Sequence, residues 1–322
     1  MTRCNVLLTG ATGFVGRAIV EELILQKYNI RIALRNICTY VPRGVVPIKV
    51  GDMLIDTNWQ NALCGVDVVI HAAARVHVLT DMAVDSLAEF RRINVEGTLN
   101  LARQAVSAGV KRFVFISSIK VNGESTAHGR PYTTADEPSP VDFYGVSKYE
   151  AELGLLDIAA KSGIEVVIIR PVLVYGPGVK ANFLSMMRWL NKRAPLPFGA
   201  IDNKRSLVAL DNLVDLIVTC IDHPAAANES FLVSDDEDLS TTELLQRMAV
   251  ALGRPTRLLP VPTGLLKAVA VFLGKRDVAQ RLLGSLQVDI SKTKETLGWT
   301  PPVSVDVALK KTAEDFLSRQ QY

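Results

Sequence analysis

Tyr144 and Lys148 stand four residues apart in Tyr144-Gly145-Val146-Ser147-Lys148, a spacing that sets a phenol and an ammonium on one face of a helix. A free phenol titrates at about 10 and is a poor acid–base group at neutral pH. A cation beside it stabilises the phenolate and brings proton transfer within working range. A hydroxyl is also needed to orient the reacting oxygen, and Ser117-Ser118, closing an apolar run, supplies one. The spacing alone is weak evidence, since tyrosines meet lysines at this distance by chance. Here it is the only such pair in the chain, and it follows a glycine turn, a strand and a serine pair in order.

The glycine turn is Thr9-Gly10-Ala11-Thr12-Gly13-Phe14-Val15-Gly16, straight after a first β-rich run and opening a helix. Glycines there let the backbone turn sharply and approach a pyrophosphate, while the helix N-terminus offers free N–H groups to its oxygens. A dinucleotide is therefore expected. Arg35 falls 19 residues after Gly16, where an acid would take the ribose hydroxyls of NAD. An arginine pairs instead with the 2′-phosphate of NADP. NADP is the expected cofactor, and NAD the alternative if Arg35 is a solvated surface residue.

The elements that must position these groups are legible as alternation. Continuous apolar runs predict strands over Asn5–Thr9, Ile30–Leu34, Val46–Val50, Val66–His71, Arg112–Ser117 and Glu165–Arg170, with helices near Gly13–Gln26, Trp59–Leu63, Leu87–Ala108 and Tyr144–Lys161 between them. Such runs suit strands buried on both faces. The fold class is α/β, a doubly wound parallel sheet of the Rossmann type with a smaller, partly interleaved C-terminal substrate domain. Residues 1–170 form the dinucleotide-binding domain, with 207–230 returning to it. Residues 171–206 and 231–322 form the substrate-binding domain; after Pro171 strands become sparse and helices near Ala181–Asn191, Asp211–Asp222, Thr241–Ala251 and Val305–Phe316 dominate.

Composition narrows the class. The 322 residues are 48% hydrophobic and 21% charged, with a formal charge of +3 spread along the chain, which does not ask for nucleic acid. Cys4, Cys38, Cys64 and Cys220 are scattered with no ligand set beside them, so no metal site is expected and reduced thiols in a cytoplasmic protein are. No signal-peptide core is visible. The apolar stretch Leu265–Leu273 is about half a membrane span, so it reads as a core helix or lid, with a membrane-touching helix as the sharper alternative.

Taken together, these motifs resemble the extended short-chain dehydrogenases/reductases, the family of nucleotide-sugar epimerases, dehydratases and 4-keto-sugar reductases. The resemblance covers nearly the whole chain. Gly10, Gly13, Phe14, Val15 and Gly16 match its cofactor loop. Asp52, followed by Met53, looks like the acid that contacts the adenine, and His71-Ala72-Ala73 resembles the stretch lining the cofactor after the fourth strand. Asn94 matches a cofactor-side asparagine, and Ser117, which precedes the catalytic serine, is placed on the cofactor. Ser118, Tyr144 and Lys148 match the catalytic triad. Pro171 and Val174, in the signature that runs from Arg170 to Tyr175-Gly176-Pro177-Gly178, are implied to touch the cofactor, as are Tyr144 and Lys148. On the substrate side, Asn182 and Arg205 resemble residues that hold a nucleotide diphosphate, and Gly298-Trp299-Thr300-Pro301 resembles the closing motif. Lys120 stands near the expected sugar, in place of a small or hydroxylated residue, and is read as a substrate contact.

What the resemblance implies is hydride exchange at C4 of a nucleotide sugar, with Tyr144 moving the proton. The leading expectation, from Arg35 and Ser117-Ser118-Ile119-Lys120-Val121-Asn122-Gly123, is reduction of a UDP-4-keto-6-deoxy-hexose. The alternatives are a UDP-hexose 4-epimerase with tightly held NAD, and a non-catalytic NADP-binding module. Dehydratase chemistry is disfavoured, because Ile119 and Lys120 stand where an acidic pair is expected. A homodimer through the helices near Leu87–Ala108 and Tyr144–Lys161 is a further implication, with no stable membrane span.

Overall fold

A computed structural model describes residues 4–36, 41–76, 86–127, 129–274 and 276–320; Cys38 lies outside them. Its large sheet holds seven strands: β1 (Asn5–Thr9), β2 (Asn29–Leu34), β3 (Val45–Lys49), β4 (Val68–His71), β5 (Arg112–Ile116), β6 (Glu165–Pro171) and, later in the chain, β9 (Ser230–Val233). They lie in the order β3-β2-β1-β4-β5-β6-β9, every pair parallel. The chain winds outward one way from β1 and then the other way from β4, so a crevice opens beyond the carboxyl ends of those two strands. In such sheets that crevice is where ligands bind.

Apolar runs become sandwiched strands because successive side chains point to opposite faces. Val6 and Leu8 of β1 and Val114 and Ile116 of β5 enter the core beneath α1 (Phe14–Leu25). Leu7, Phe113 and Phe115 enter the opposite core with α2 (Gln60–Leu63), α4 (Thr98–Ser107) and α5 (Phe143–Ser162). The single helix expected over Leu87–Ala108 is instead α3 (Ser86–Phe90), a π-helical turn over Arg91–Gly97, and α4. A wide turn of this kind redirects side chains, and here it carries Asn94. Gly97 permits it: a Cβ there would lie 2.5 Å from the Met53 carbonyl oxygen.

The remaining elements build the smaller part. Strands β7 (Leu173–Tyr175), β8 (Arg205–Ala209) and β10 (Asp238–Leu239) form a second sheet in the order β10-β8-β7. Helices α6 (Ala181–Asn191), α8 (Thr241–Ala251) and α12 (Val305–Ser318) close a third core around Tyr175, Phe183, Met187, Leu245 and Phe316. Between them α7 (Leu210–Asp222) goes back to pack on α1, and β9 joins the large sheet, while β8 stays with the small one. Two further helices, α9 (Thr263–Phe272) and α10 (Arg276–Leu283), pack on each other, and α11 (Ser291–Leu297) abuts β9. No helix among the described residues is long and apolar enough to cross a membrane.

Candidate active site

Helix α5 begins where its Asp142 N-cap accepts a hydrogen bond from the Gly145 amide at 2.7 Å, which sets the first turn and therefore Tyr144. Gly145 is required there, since a Cβ would come within 2.7 Å of the Lys120 carbonyl oxygen. One turn on, Lys148 is 2% exposed, donates from Nζ to the Ile116 carbonyl at 2.7 Å, and sits 4.2 Å from the Phe115 ring centroid. Burial pulls its pKa down to about 7, with the Glu152 carboxylate opposing the fall. An ammonium held in so apolar a wall gains strongly from any anion placed beside it. The Tyr144 phenol is pushed above its ordinary value, first by burial and then by the Asp142 charge. Its ring meets Phe90 edge-on at 6.4 Å, and its hydroxyl has no hydrogen-bond partner among the described residues. Ser118, half-buried just past β5, accepts only the Lys120 amide at 3.2 Å and keeps its proton to donate. The phenol and the ammonium thus stand one helical turn apart on α5, and the ammonium reaches the carboxyl end of β5, just before Ser118.

Behind them lies a buried polar layer that the spacing of motifs does not announce. The Ser117 hydroxyl donates to Glu152, and Arg170 grips the same carboxylate through Nε at 3.0 Å and Nη2 at 2.5 Å. The other arm of Arg170 reaches Asn122 Oδ1 at 3.0 Å. Ser117 is accordingly reassigned: its side chain is engaged inward and only Ser118 faces the site. Glu152 was findable in the sequence, because it continues the 144, 148 series by one more turn of the same helix face.

The glycine turn has the shape a pyrophosphate needs. Gly10 adopts φ +74°, and a Cβ on it would lie 2.7 Å from the Ala73 amide nitrogen. A Cβ on Gly16 would lie 2.0 Å from the Gly10 carbonyl oxygen, so only glycine lets α1 dock this close to the turn. The N-cap of α1, Gly13, brings no side-chain hydrogen bond, which leaves the first-turn amides for a ligand. Phe14 and Val15 pack back against the core. In front opens a cleft of about 1060 Å³ whose wall includes Gly10, Gly13, Arg35, Asp52, Met53, Ala72 and Ala73. These residues fit a dinucleotide, with the diphosphate at the turn and the adenosine end toward β2 and β3. Arg35 is exposed on that wall, which Lys49 and Arg92 also line, the last paired with Glu89 at 2.9 Å.

Two residues expected on the cofactor side act one layer back. His71 is fully buried. Thr9 Oγ1 accepts the Ala73 amide at 3.2 Å and shares a hydrogen bond with His71 Nδ1 at 2.7 Å, while His71 Nε2 shares one with Thr98 Oγ1 at 3.0 Å. Burial, reinforced by the Lys148 charge, lowers this imidazole to about 3, so it stays neutral. His71 therefore holds the wall that Ala72 and Ala73 present rather than lining it. Asn94, also buried, accepts from the Arg75 amide at 2.7 Å and donates to Arg75 O and Ser147 Oγ, each at 3.0 Å. Since Ser147 bonds the Tyr144 carbonyl at 2.8 Å, Asn94 latches the cleft wall to the catalytic helix. Pro171, buried, and Val174, half-buried, stand at the joint between the two sheets.

On the substrate side, Asn182 is exposed at the start of α6, and its neighbour Phe183 stacks on Tyr175 at 5.3 Å. Arg205 is half-buried, with its Nη1 on the Gly284 carbonyl at 3.1 Å, and burial lowers its pKa. Lys120 needs correcting as a sugar contact. Its ammonium pairs with Asp142 and, at 2.9 Å, with Glu124, so two carboxylates already claim it. Trp299 of the closing motif is buried and donates to Asp215 at 2.6 Å, tying the C-terminal part to α7.

Known proteins can be set beside this geometry. The chain is 53% identical to a UDP-glucose 4-epimerase of Vibrio cholerae, over 97% of this chain and 95% of the relative. It is 27% identical, over 96% and 94%, to the N-acetyl-alpha-D-glucosaminyl-diphospho-ditrans,octacis-undecaprenol 4-epimerase of Escherichia coli O157:H7. A UDP-glucose 4-epimerase structure from Thermotoga maritima superposes with a TM-score of 0.77 at 23% identity, covering 98% of this chain and 99% of that one. At that identity the likeness speaks for the fold. Residues 6–234 match a single family profile, and the cradle, the tyrosine–lysine pair and the doubly wound sheet all lie within them or depend on them; the chain belongs to the NAD dependent epimerase/dehydratase family.

Proposed function

We propose that the protein is a UDP-hexose 4-epimerase that keeps a nicotinamide dinucleotide in its cleft through each cycle. The observation that carries this is the 53% identity over almost the whole chain to the Vibrio cholerae UDP-glucose 4-epimerase. It displaces the reductase, which the residues alone had put first. When bound, the dinucleotide supplies the hydride acceptor and donor. The Tyr144 phenolate takes the C4 hydroxyl proton, the Lys148 ammonium stabilises that phenolate, and the Ser118 hydroxyl steadies the oxygen. After the keto sugar has turned its other face to the nicotinamide, Tyr144 returns the proton to the C4 oxygen. Arg205 and Asn182 are assigned to the diphosphate, for which a guanidinium fork is well suited. Leu153 and Leu156, exposed on α5, support a homodimer packed through that helix, and a cytoplasmic location accords with the scattered thiols.

A second reading, reduction of a 4-keto sugar with NADPH, is favoured by one observation: Arg35, exposed on the wall of the cleft, can pair with a 2′-phosphate. The two readings part in a simple assay. Purified protein given UDP-glucose alone should form UDP-galactose with no reductant added. Tyr144→Phe should lower the rate about 10²–10⁴-fold while the dinucleotide stays bound. No interconversion, together with NADPH oxidation on a UDP-4-keto-6-deoxy sugar, would establish the reductase instead.

A further inference from the structure

Helix α9 turns its apolar side outward. Leu265, Ala268, Val269 and Phe272 recur at the i, i+3, i+4, i+7 spacing that ordinarily faces a core. Yet Leu265 is 57%, Val269 47% and Phe272 90% exposed, and none of the helix's residues is buried. Val271 and Leu273 enlarge the exposed patch. The opposite stripe, Thr263, Leu266 and Ala270, is half-buried. Single exposed apolar residues are ordinary, but a whole stripe aligned on one helix marks an interaction surface.

Charge says what covers it. From Arg254 to Arg281 the basic residues are Arg254, Arg257, Lys267, Lys275, Arg276 and Arg281, against Asp277 alone. The formal charge of the whole chain is only +3, so the rest of the molecule is slightly acidic. Arg257, Lys267 and Arg281 are exposed and make no ion pair among the described residues. A second copy of the chain meeting this face through a two-fold axis would bring two basic clusters together. An anionic lipid surface offers acyl chains to the stripe and negative headgroups to its flanks. Ten residues of helix span about 15 Å, half of a bilayer's hydrocarbon core, so the helix would lie in the interface and not cross it.

The α9–α10 pair is also joined to the substrate side. The Gly284 carbonyl, just past α10, accepts from Arg205 Nη1 at 3.1 Å and Asn203 Nδ2 at 2.7 Å, and the Leu282 carbonyl accepts from Thr241 Oγ1 at 2.6 Å. We infer that α9 and α10 form an interfacial anchor that seats the protein on anionic phospholipid, with Leu265, Val269 and Phe272 in the acyl boundary and the exposed Arg257, Lys267 and Arg281 on headgroups. The anchor is independent of which reaction the site performs.

The test is co-sedimentation of the full chain with vesicles of phosphatidylcholine alone or containing phosphatidylglycerol. Binding to the anionic vesicles should exceed binding to the neutral ones by about tenfold or more and fall with added salt. Leu265→Gln with Phe272→Gln should abolish it and leave soluble UDP-hexose turnover and the melting temperature unchanged, since both side chains are exposed. Equal, negligible sedimentation with both vesicle types would overturn the proposal. So would a double variant that turns a dimer into a monomer by light scattering, which would make this face an interface between copies.

Discussion

Asp142 does two things to Tyr144 at once. Its carboxylate fixes the first turn of α5 through the Gly145 amide, and its charge pushes the phenol upward, against the phenolate the reaction needs. Lys120 offsets the second effect by pairing with that carboxylate. Lys120→Met should therefore raise the phenol further, because Asp142 loses its counter-charge, and shift the acid limb of the kcat/KM profile to higher pH by about half a unit or more. Asp142→Asn keeps a cap acceptor without the charge, so it should move the limb the other way, and the double variant should return it close to the start. Coincident limbs for wild type and Lys120→Met would mean that the pair has no influence on the phenol. Tyr144, Lys148 and Ser118 were legible in the sequence because helix period and motif order both point to them. Ser117, His71 and Lys120 were misread because a motif gives position along the chain and not direction. Each turns its polar atoms to Glu152, Thr9 and Asp142 respectively, partners far off in sequence.

Among the elements, the turn from β1 into α1 carries the sharpest steric demand. Gly16→Ala forces a Cβ against the Gly10 carbonyl oxygen, from which it would lie 2.0 Å. Either the turn or the helix must move, at a cost of about 1–3 kcal/mol for overpacking of this kind. The expected outcome is a lowered melting temperature and a dinucleotide lost on gel filtration; retention of the cofactor with unchanged stability would show that α1 can shift freely. Strands β1, β4, β5 and β6 were readable because each alternates its side chains between two cores, which makes a continuous apolar run. The break in the helix over residues 87–108 was not, since it depends on Asn94 binding Arg75 and Ser147 and on Gly97 clearing Met53. Strands β7, β9 and β10 have four residues or fewer, so periodicity gave them little signal.

At the level of the whole molecule, the two sheets are held together by Asp235, just past β9. It accepts from the Ala209 amide and from Asn212 Nδ2, each at 2.7 Å, and from the Tyr175 hydroxyl at 2.8 Å, while Asn212 also grips Val303. Asp235→Ala leaves three buried donors unpaired, which should cost about 3 kcal/mol or more in urea unfolding and raise KM for the UDP-sugar more than it lowers kcat. Unchanged stability would mean the joint is held elsewhere. The interleaving itself was legible from the change of pattern after Pro171, but the joint was not, because its members come from four separate stretches of chain. The reaction is likewise a property of the assembled cleft, and isotope retention tests it most directly. UDP-glucose carrying deuterium at C4 should be converted to UDP-galactose that still carries the deuterium at C4, with no net oxidation or reduction of added nucleotide. Absence of the galactose isomer, or deuterium lost from C4 with nucleotide consumed, would contradict a 4-epimerase.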